Sequence, residues 1–406
     1  MPLTGLSAER SNARNAVIAC FLGWTLDAFD FFVLSFVLSP VGKDFHKGIA
    51  TITWAITASL ATRPLGAFIF GLLADRYGRR LPLMLDVLFY SVVEVLSGFA
   101  PSYSVFIVLR LLYGIGMGGE WGVGASLALE SVPSKWRGIF SGLLQEGYAL
   151  GYLLAAVAYW LVFPHLGWRA MFFIGGVPAL LTLFIRFKVK ESPAWAATSS
   201  SHRGWGDYFS RIFQNWKRFV YLVVLMALMN FISHGTQDFY PTFLQLQRGY
   251  KPSATALITV ISMLGAIAGG VLVGLYSDRR GRRRAMIGAI ILALLLIPAW
   301  IAAPSFRVIL IGAFLMQFMV QGAWGVIPAH INELSPDKLR GFFPGFAYQL
   351  GVLIASFSST IEAVLGNRMT YGHAMGIFAA IVLIAGAAVI AFGPEARGLK
   401  FGGGNA

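Results

Sequence analysis

The chain has 406 residues, of which 57% are hydrophobic and only 12% charged, about half the charged share of a soluble domain. Water could not solvate a surface of that composition, so a soluble enzyme or a free-standing binding domain is excluded. The net charge of +14 would suit nucleic acid, but the Lys and Arg residues sit in short clusters between apolar runs, where they set membrane topology and build no binding face.

The first apolar run spans 15–37. Arg10 and Arg14 precede it, but it contains Asp27 and Asp30 and lacks a small-residue cleavage site, so it reads as a retained span and not a leader. Cys20, the single cysteine, is a packing residue and can form no internal disulfide. Further runs follow at 51–73, 81–99, 104–129, 138–162 and 168–187. A polar, Ser-rich stretch, KESPAWAATSSSHRG, then interrupts the series, and six more runs follow at 217–243, 254–276, 284–303, 306–332, 341–364 and 371–393. At about 20 residues per span, this predicts an all-α membrane protein of twelve transmembrane helices. The expected organisation is a six-helix bundle over 1–187, a linker with a surface helix over 188–216, and a second bundle over 217–406. Lys and Arg crowd the connections on the side of the termini, which predicts cytoplasmic termini in a cell (inner or plasma) membrane.

The halves repeat at an offset of 203 residues: GLLADRYGRR (Gly71 to Arg80) matches GLYSDRRGRR (Gly274 to Arg283). ESVPSKWRG (Glu130 to Gly138) matches ELSPDKLRG (Glu333 to Gly341) in the same register, and two motifs in one register imply duplication. Asp75 with Arg76, and Asp278 with Arg279, end spans beside Arg clusters, where inter-helix ion pairs would latch the cytoplasmic side. A role as substrate ligands is the alternative. The pattern G-x-x-x-D-R-x-G-R-R, present twice, resembles the loop signature of the major facilitator superfamily, and the resemblance covers the whole chain. It implies two pseudo-symmetric bundles facing a central cavity, alternating access by rocking and function as a monomer.

Polar groups inside spans are costly unless paired or facing water, so they are candidates for function. Asp27 and Asp30 lie one turn apart; they transfer protons or pair with Arg63 or Arg110. The fourth run, RLLYGIGMGGEWGVG (Arg110 to Gly124), is glycine-rich for close helix packing, and its Glu120 is a proton site or an ion-pair partner of Arg110 or another arginine. In the seventh run, NFISHGTQDFYPT places Asn230, His234, Gln237, Asp238 and Pro241 at helical spacing, a polar stripe that should line the cavity. His234 with Asp238 is a candidate proton pair, or the two merely bond each other inside the bundle. Pro241 frees the carbonyl near Gln237. His330, Glu333 and Glu362 lie near span ends and read as structural.

The pattern N-x-x-S-H-x-x-Q-D-x-x-P-T resembles the hallmark of the lactate and pyruvate permeases in the sialate:proton symporter group. GWTLDAFDFF (Gly23 to Phe32) resembles that group's opening helix. The resemblance implicates Asn230, His234 and Asp238 in substrate binding and proton coupling, and Arg63, in ATRPLGAFIFG, in holding the carboxylate. A guanidinium fork matches a carboxylate bidentately, although Arg63 as a structural partner of Asp27 or Asp30 is the competing reading. Gln349, in AYQLGVLIAS, occupies the position implicated in selectivity, and Val352 stands where the family has Asn.

The expected activity is proton-coupled symport of a short monocarboxylate of the lactate or pyruvate type. Arg63 would hold the carboxylate, Asn230, Gln237 and Gln349 the other oxygens, and His234 and Asp238 the proton. Sialic acid or a dicarboxylate is the alternative cargo. The chain has no zinc-ligand pair, Ser/His/Asp set or phosphate-cradling loop at a span mouth, so no enzyme activity, metal, cofactor or nucleic-acid partner is expected. Its partners are the solute, the proton and the lipid bilayer.

Overall fold

The computed structural model describes residues 3–198, 205–302 and 304–402; the serine run of the linker falls outside them. Lipid offers no hydrogen bonds to the backbone, so apolar runs of this length satisfy their peptide groups internally as helices. The first span is α1 (Leu3–Asp44), followed by the short α2 (Ile49–Ile52). Spans two to four are α3 (Trp54–Tyr77), α4 (Arg80–Gly98) and α5 (Tyr103–Ser131). The fifth and sixth are built from α6 (Arg137–Gln145), α7 (Gly147–Ile174) and α8 (Ala179–Lys188), with the chain reversing inside α7 at Gly167, whose φ is 72°. Two linker helices follow, α9 (Pro193–Thr198) and α10 (Trp205–Gln214).

The second half repeats the pattern. Its seventh span is α11 (Trp216–Gln237) with α12 (Tyr240–Leu246), broken at Asp238 and Phe239 just ahead of Pro241, which cannot continue the backbone ladder. Spans eight to ten are α13 (Pro252–Arg280), α14 (Arg282–Ile301) and α15 (Phe306–Leu334); α16 (Phe343–Ala355) with α17 (Ser358–Gly366) forms the eleventh and α18 (Tyr371–Phe392) the twelfth. Among the described residues, nine helical stretches are long and apolar enough to cross a membrane. The remaining spans are hidden for identifiable reasons: one stretch, Ser134–Lys188, holds two spans, α5 is diluted by Arg110 and Glu120, and the eleventh span is split into two short helices.

Packing follows the repeat. In the first half α3 lies against α5 and α1 against α7; in the second α13 lies against α15 and α11 against α16. Two glycines make the α3–α5 and α13–α15 contacts possible. A Cβ on Gly66 would sit 1.7 Å from the carbonyl oxygen of Ile115, and one on Gly269 would sit 2.0 Å from that of Phe318. Gly66→Ala and Gly269→Ala should each lower stability by about 1–3 kcal/mol through overpacking, read as a fall in the thermal midpoint of the purified protein. An unchanged midpoint would mean that the helices part freely there.

The bundles meet where α16 lies on α3 and α5, and where α6 lies on α13 and α15. The hydrogen bonds between bundles cluster at the end of the molecule that carries both termini, beside the two repeated loop motifs.

Candidate functional site

The membrane-embedded site is built around Arg63 on α3. The residue is only 4% exposed, yet its Nε and Nη2 atoms are buried without a hydrogen bond. That edge of a guanidinium presents two parallel N–H donors. Asp27, Tyr148 and Tyr348 lie within electrostatic reach of it. Asp27 and Asp30 are fully buried with all four carboxylate oxygens unpartnered, so neither is the structural ion-pair partner of Arg63.

Nor does Glu120 pair with Arg110. Arg110 Nη2 instead meets Glu94 Oε2 of α4 at 2.7 Å, and the guanidinium lies over the rings of Tyr113, Phe172 and Phe106 at 4.6, 5.2 and 5.5 Å. Glu120 is buried with both oxygens unpartnered, against the space above Gly23, where a Cβ would come 2.3 Å from its Oε1. Glu94 and Asp86, both fully buried on α4, were missed by sequence reasoning. The available signal was two carboxylates inside the third apolar run.

The polar stripe on α11 divides. His234 Nδ1 lies 3.0 Å from Asp238 Oδ2, and the two side chains are 38% and 44% exposed, so they pair at an accessible position and not inside the bundle. Asp238 is within electrostatic reach of Tyr148 in the other bundle and of Glu362 on α17. Asn230 is buried and its Nδ2 donates back to the Met226 carbonyl at 2.8 Å. Gln237 turns away from the pair, contrary to its expected place among the substrate contacts. Its Nε2 donates to Gln317 Oε1 at 2.7 Å, beside a small cavity within the second bundle lined by Thr236, Tyr240, Ser262 and Trp300. Neighbouring helical positions diverge by about 100°, so Gln237 and Asp238 cannot face one direction. Gln349 reaches across the bundles: its Nε2 lies 3.5 Å from the Gly118 carbonyl, and its Oε1 is buried without a partner.

The loop motifs form a second, pseudo-symmetric assembly at the end with the termini. Asp75 accepts from the backbone N–H groups of Gly341 and Phe342 at 2.7 and 3.1 Å, at the approach to α16. Asp278 accepts from Gly138 and Ile139 at 2.8 and 3.1 Å, at the start of α6. Asp278 thus caps α6 as an anion at a helix N-terminus, and Asp75 binds the turn that leads into α16. The ion pairs fall to Arg79 and Arg282, four residues after each aspartate, at 2.7 and 2.8 Å. Arg76 instead lies over the Trp205 ring and Arg279 is exposed. Arg79 also meets Glu130 at 3.1 Å and Arg282 meets Glu333 at 2.9 Å. Arg340 approaches Glu130 at 3.4 Å and Arg137 approaches Glu333 at 3.7 Å, both from the opposite bundle. From α10, Tyr208 donates its hydroxyl to Asp75 Oδ2 at 2.8 Å.

A family model described as Major Facilitator Superfamily matches residues 20–258, and one described as Sugar (and other) transporter matches residues 226–397. A probable 4-methylmuconolactone transporter of Cupriavidus pinatubonensis is 32% identical over 94% of this chain and 90% of its own length. A carboxylic acid transporter protein homolog of Saccharomyces cerevisiae is 30% identical over 86% of this chain; the match spans 60% of that longer relative. A sialic acid transporter, NanX, of Escherichia coli is 29% identical over 93% of this chain and 92% of its own length. The solved structure of the proton:xylose symporter XylE with a bound bromodeoxyglucose superposes with a TM-score of 0.78 at 20% identity, covering 97% of this chain and 98% of that one, a likeness of fold.

Proposed function

Because the chain belongs to the major facilitator superfamily and is a multi-pass membrane transporter, not an enzyme, we propose that it carries a short monocarboxylate, of the lactate or pyruvate kind, together with one proton. The observation that carries this reading is the buried Arg63 with its unpartnered Nε and Nη2 edge. A lone buried cation strongly favours an anion beside it, and a carboxylate is the planar anion whose two oxygens fit that edge. The carboxylic acid and sialic acid relatives are consistent with an organic acid as cargo. Gln349, whose buried Oε1 reaches in from the second bundle without a partner, is placed to accept from the hydroxyl of a lactate-type acid.

Proton coupling rests on groups that can gain a proton near the same place. His234 with Asp238 is accessible and paired, and Asp27, Asp30 and Glu120 are buried acids without partners. An anion arriving at Arg63 cancels the cation that favours nearby carboxylates in their charged form, so substrate and proton load together. Asp75 and Asp278 act in this scheme as the gate. The positive-inside rule assigns the latched end to the cytoplasm, so the acid would enter from outside and leave when the latch parts. A dicarboxylate would need a second free cation, and Arg110 is already committed to Glu94 and three rings.

Proton uptake by the purified protein in vesicles, challenged with lactate, pyruvate, acetate, succinate and sialate, tests the reading. Lactate and pyruvate should drive alkalinisation of the medium. One anion with one proton is electroneutral, so at fixed pH the rate should ignore an imposed voltage, which would otherwise act at about 2.3 kcal/mol per charge per 100 mV. A rate that follows voltage would overturn the stoichiometry, and silence toward every acid would overturn the function.

A further inference from the structure

Four large rings stand near Arg63 that the proposed chemistry does not use. Trp24 of α1 stacks on Tyr148 of α7, with centroids 5.6 Å apart and planes at 26°. Trp121 of α5 meets Tyr348 of α16 at 4.4 Å, and this second pair crosses from one bundle to the other. Tyr148 and Tyr348 are within electrostatic reach of Arg63 and of each other, so the two ring pairs converge on the guanidinium from both halves.

Packing accounts for part of this. Trp24, Trp121 and Tyr348 are buried and help to fill the interface. It does not account for two features. Tyr148 is only half-buried although Trp24 and Phe32 both pack on its ring, so part of it stays uncovered. The Trp24 indole N–H is buried without an acceptor, and an N–H of that kind is met by a π face or a carbonyl and not by saturated carbon.

A carboxylate held on the Nε and Nη2 edge of Arg63 carries its body in among these rings. A saturated body can only occupy volume there. A flat conjugated or aromatic body gains offset-stacked or edge contacts on Tyr148 and Tyr348 and offers the Trp24 N–H a π face. We propose, building on the carboxylate reading above, that these rings make the site selective for acids with a flat, conjugated or aromatic body over saturated acids of equal charge. Because Tyr148 and Tyr348 belong to different bundles, a flat acid touching both also ties the halves together around itself.

Benzoate and cyclohexanecarboxylate separate the two cases, since they share the carboxylate, the carbon count and a six-membered ring. Inhibition of labelled pyruvate uptake by each is measured on the full-length protein in vesicles. Benzoate should inhibit at roughly tenfold lower concentration, the value expected of one or two aromatic contacts. Tyr148→Leu and Tyr348→Leu should each bring the ratio toward one, while Tyr148→Phe and Tyr348→Phe, which keep the ring, should preserve it and serve as folded controls. Equal inhibition by the two acids while pyruvate is still carried would overturn the selectivity and leave the carboxylate site standing. A ratio that survives in both Leu variants would overturn the assignment to these rings. If pyruvate itself is not carried and neither ring acid binds, the carboxylate reading falls and the selectivity falls with it.

Discussion

Replacing Arg63 by alanine is expected to lower substrate-driven proton uptake by roughly 100-fold or more, the usual consequence of deleting one side of a buried, hydrogen-bonded charge pair. The same change should leave the thermal midpoint unchanged or raise it. Among the described residues Arg63 makes no ion pair, and its Nε and Nη2 lack partners, so alanine removes a buried charge without orphaning a carboxylate. Loss of transport with retained stability is a signature that a structural arginine cannot give. Arg79→Ala provides the contrast, because it strands Asp75 and Glu130, which are fully packed against it, and should unfold at a lower temperature. Arg63→Lys keeps the charge but loses the fork, and an intermediate activity is expected. If Arg63→Ala transports as well as the parent protein, the carboxylate anchor is elsewhere.

Asp75→Ala should have the largest effect on conformation. It leaves three donors without their acceptor, the N–H groups of Gly341 and Phe342 and the Tyr208 hydroxyl, and takes one of several partners from Arg79, which keeps Glu130. The Gly341 and Phe342 bonds cross from one bundle to the other and are lost from the latched state alone, at about 1.5–3 kcal/mol each for hydrogen bonds to a charged group, so the population should shift toward the state open at that end. Ser141 reports the shift. It is fully buried at the bundle interface, where its hydroxyl accepts from the Ala329 N–H. A cysteine placed there should be inert to a water-soluble maleimide in the parent protein and reactive in Asp75→Ala. Asp278→Ala should act in the same direction but more weakly, since Asp278 bonds Gly138, Ile139 and Arg282 without a counterpart of Tyr208. An inert S141C in both variants would show that these aspartates do not hold the bundles together.

The repeat explains why so much of the latch could be read from the sequence. Two motifs displaced by 203 residues identify Asp75 with Asp278 and Glu130 with Glu333 before any coordinates. The partners could not be read in the same way. Each motif offers several arginines, and only the fourth residue after the aspartate, Arg79 or Arg282, lies one helical turn away and facing it. Two further partners of Asp75 are backbone N–H groups more than 260 positions along the chain, which carry no side-chain signal at all. On α11 the spacing placed His234 and Asp238 on one face, where they do meet. It was too generous to Gln237, because a stripe drawn at intervals of three and four spans more than a quarter turn, and Gln237 falls on the flank that packs toward α15.

The sequence alone determined the class of this protein, its number of spans and its two-fold repetition. Lipid leaves an apolar run of 20 residues no way to satisfy its backbone except as a helix, so hydropathy and the two loop motifs are sufficient. Only the tertiary structure decided which buried charges are paired. Arg110 neutralises Glu94 while Arg63 stays without a counter-ion, although both are single arginines in apolar runs. The difference lies in which helix packs alongside at the same depth: α4 brings a carboxylate into contact with Arg110, whereas the neighbours of Arg63 bring the rings of Tyr148 and Tyr348 and an Asp27 that forms no ion pair with it. Depth and adjacency are properties of the assembled bundle, and no local pattern encodes them.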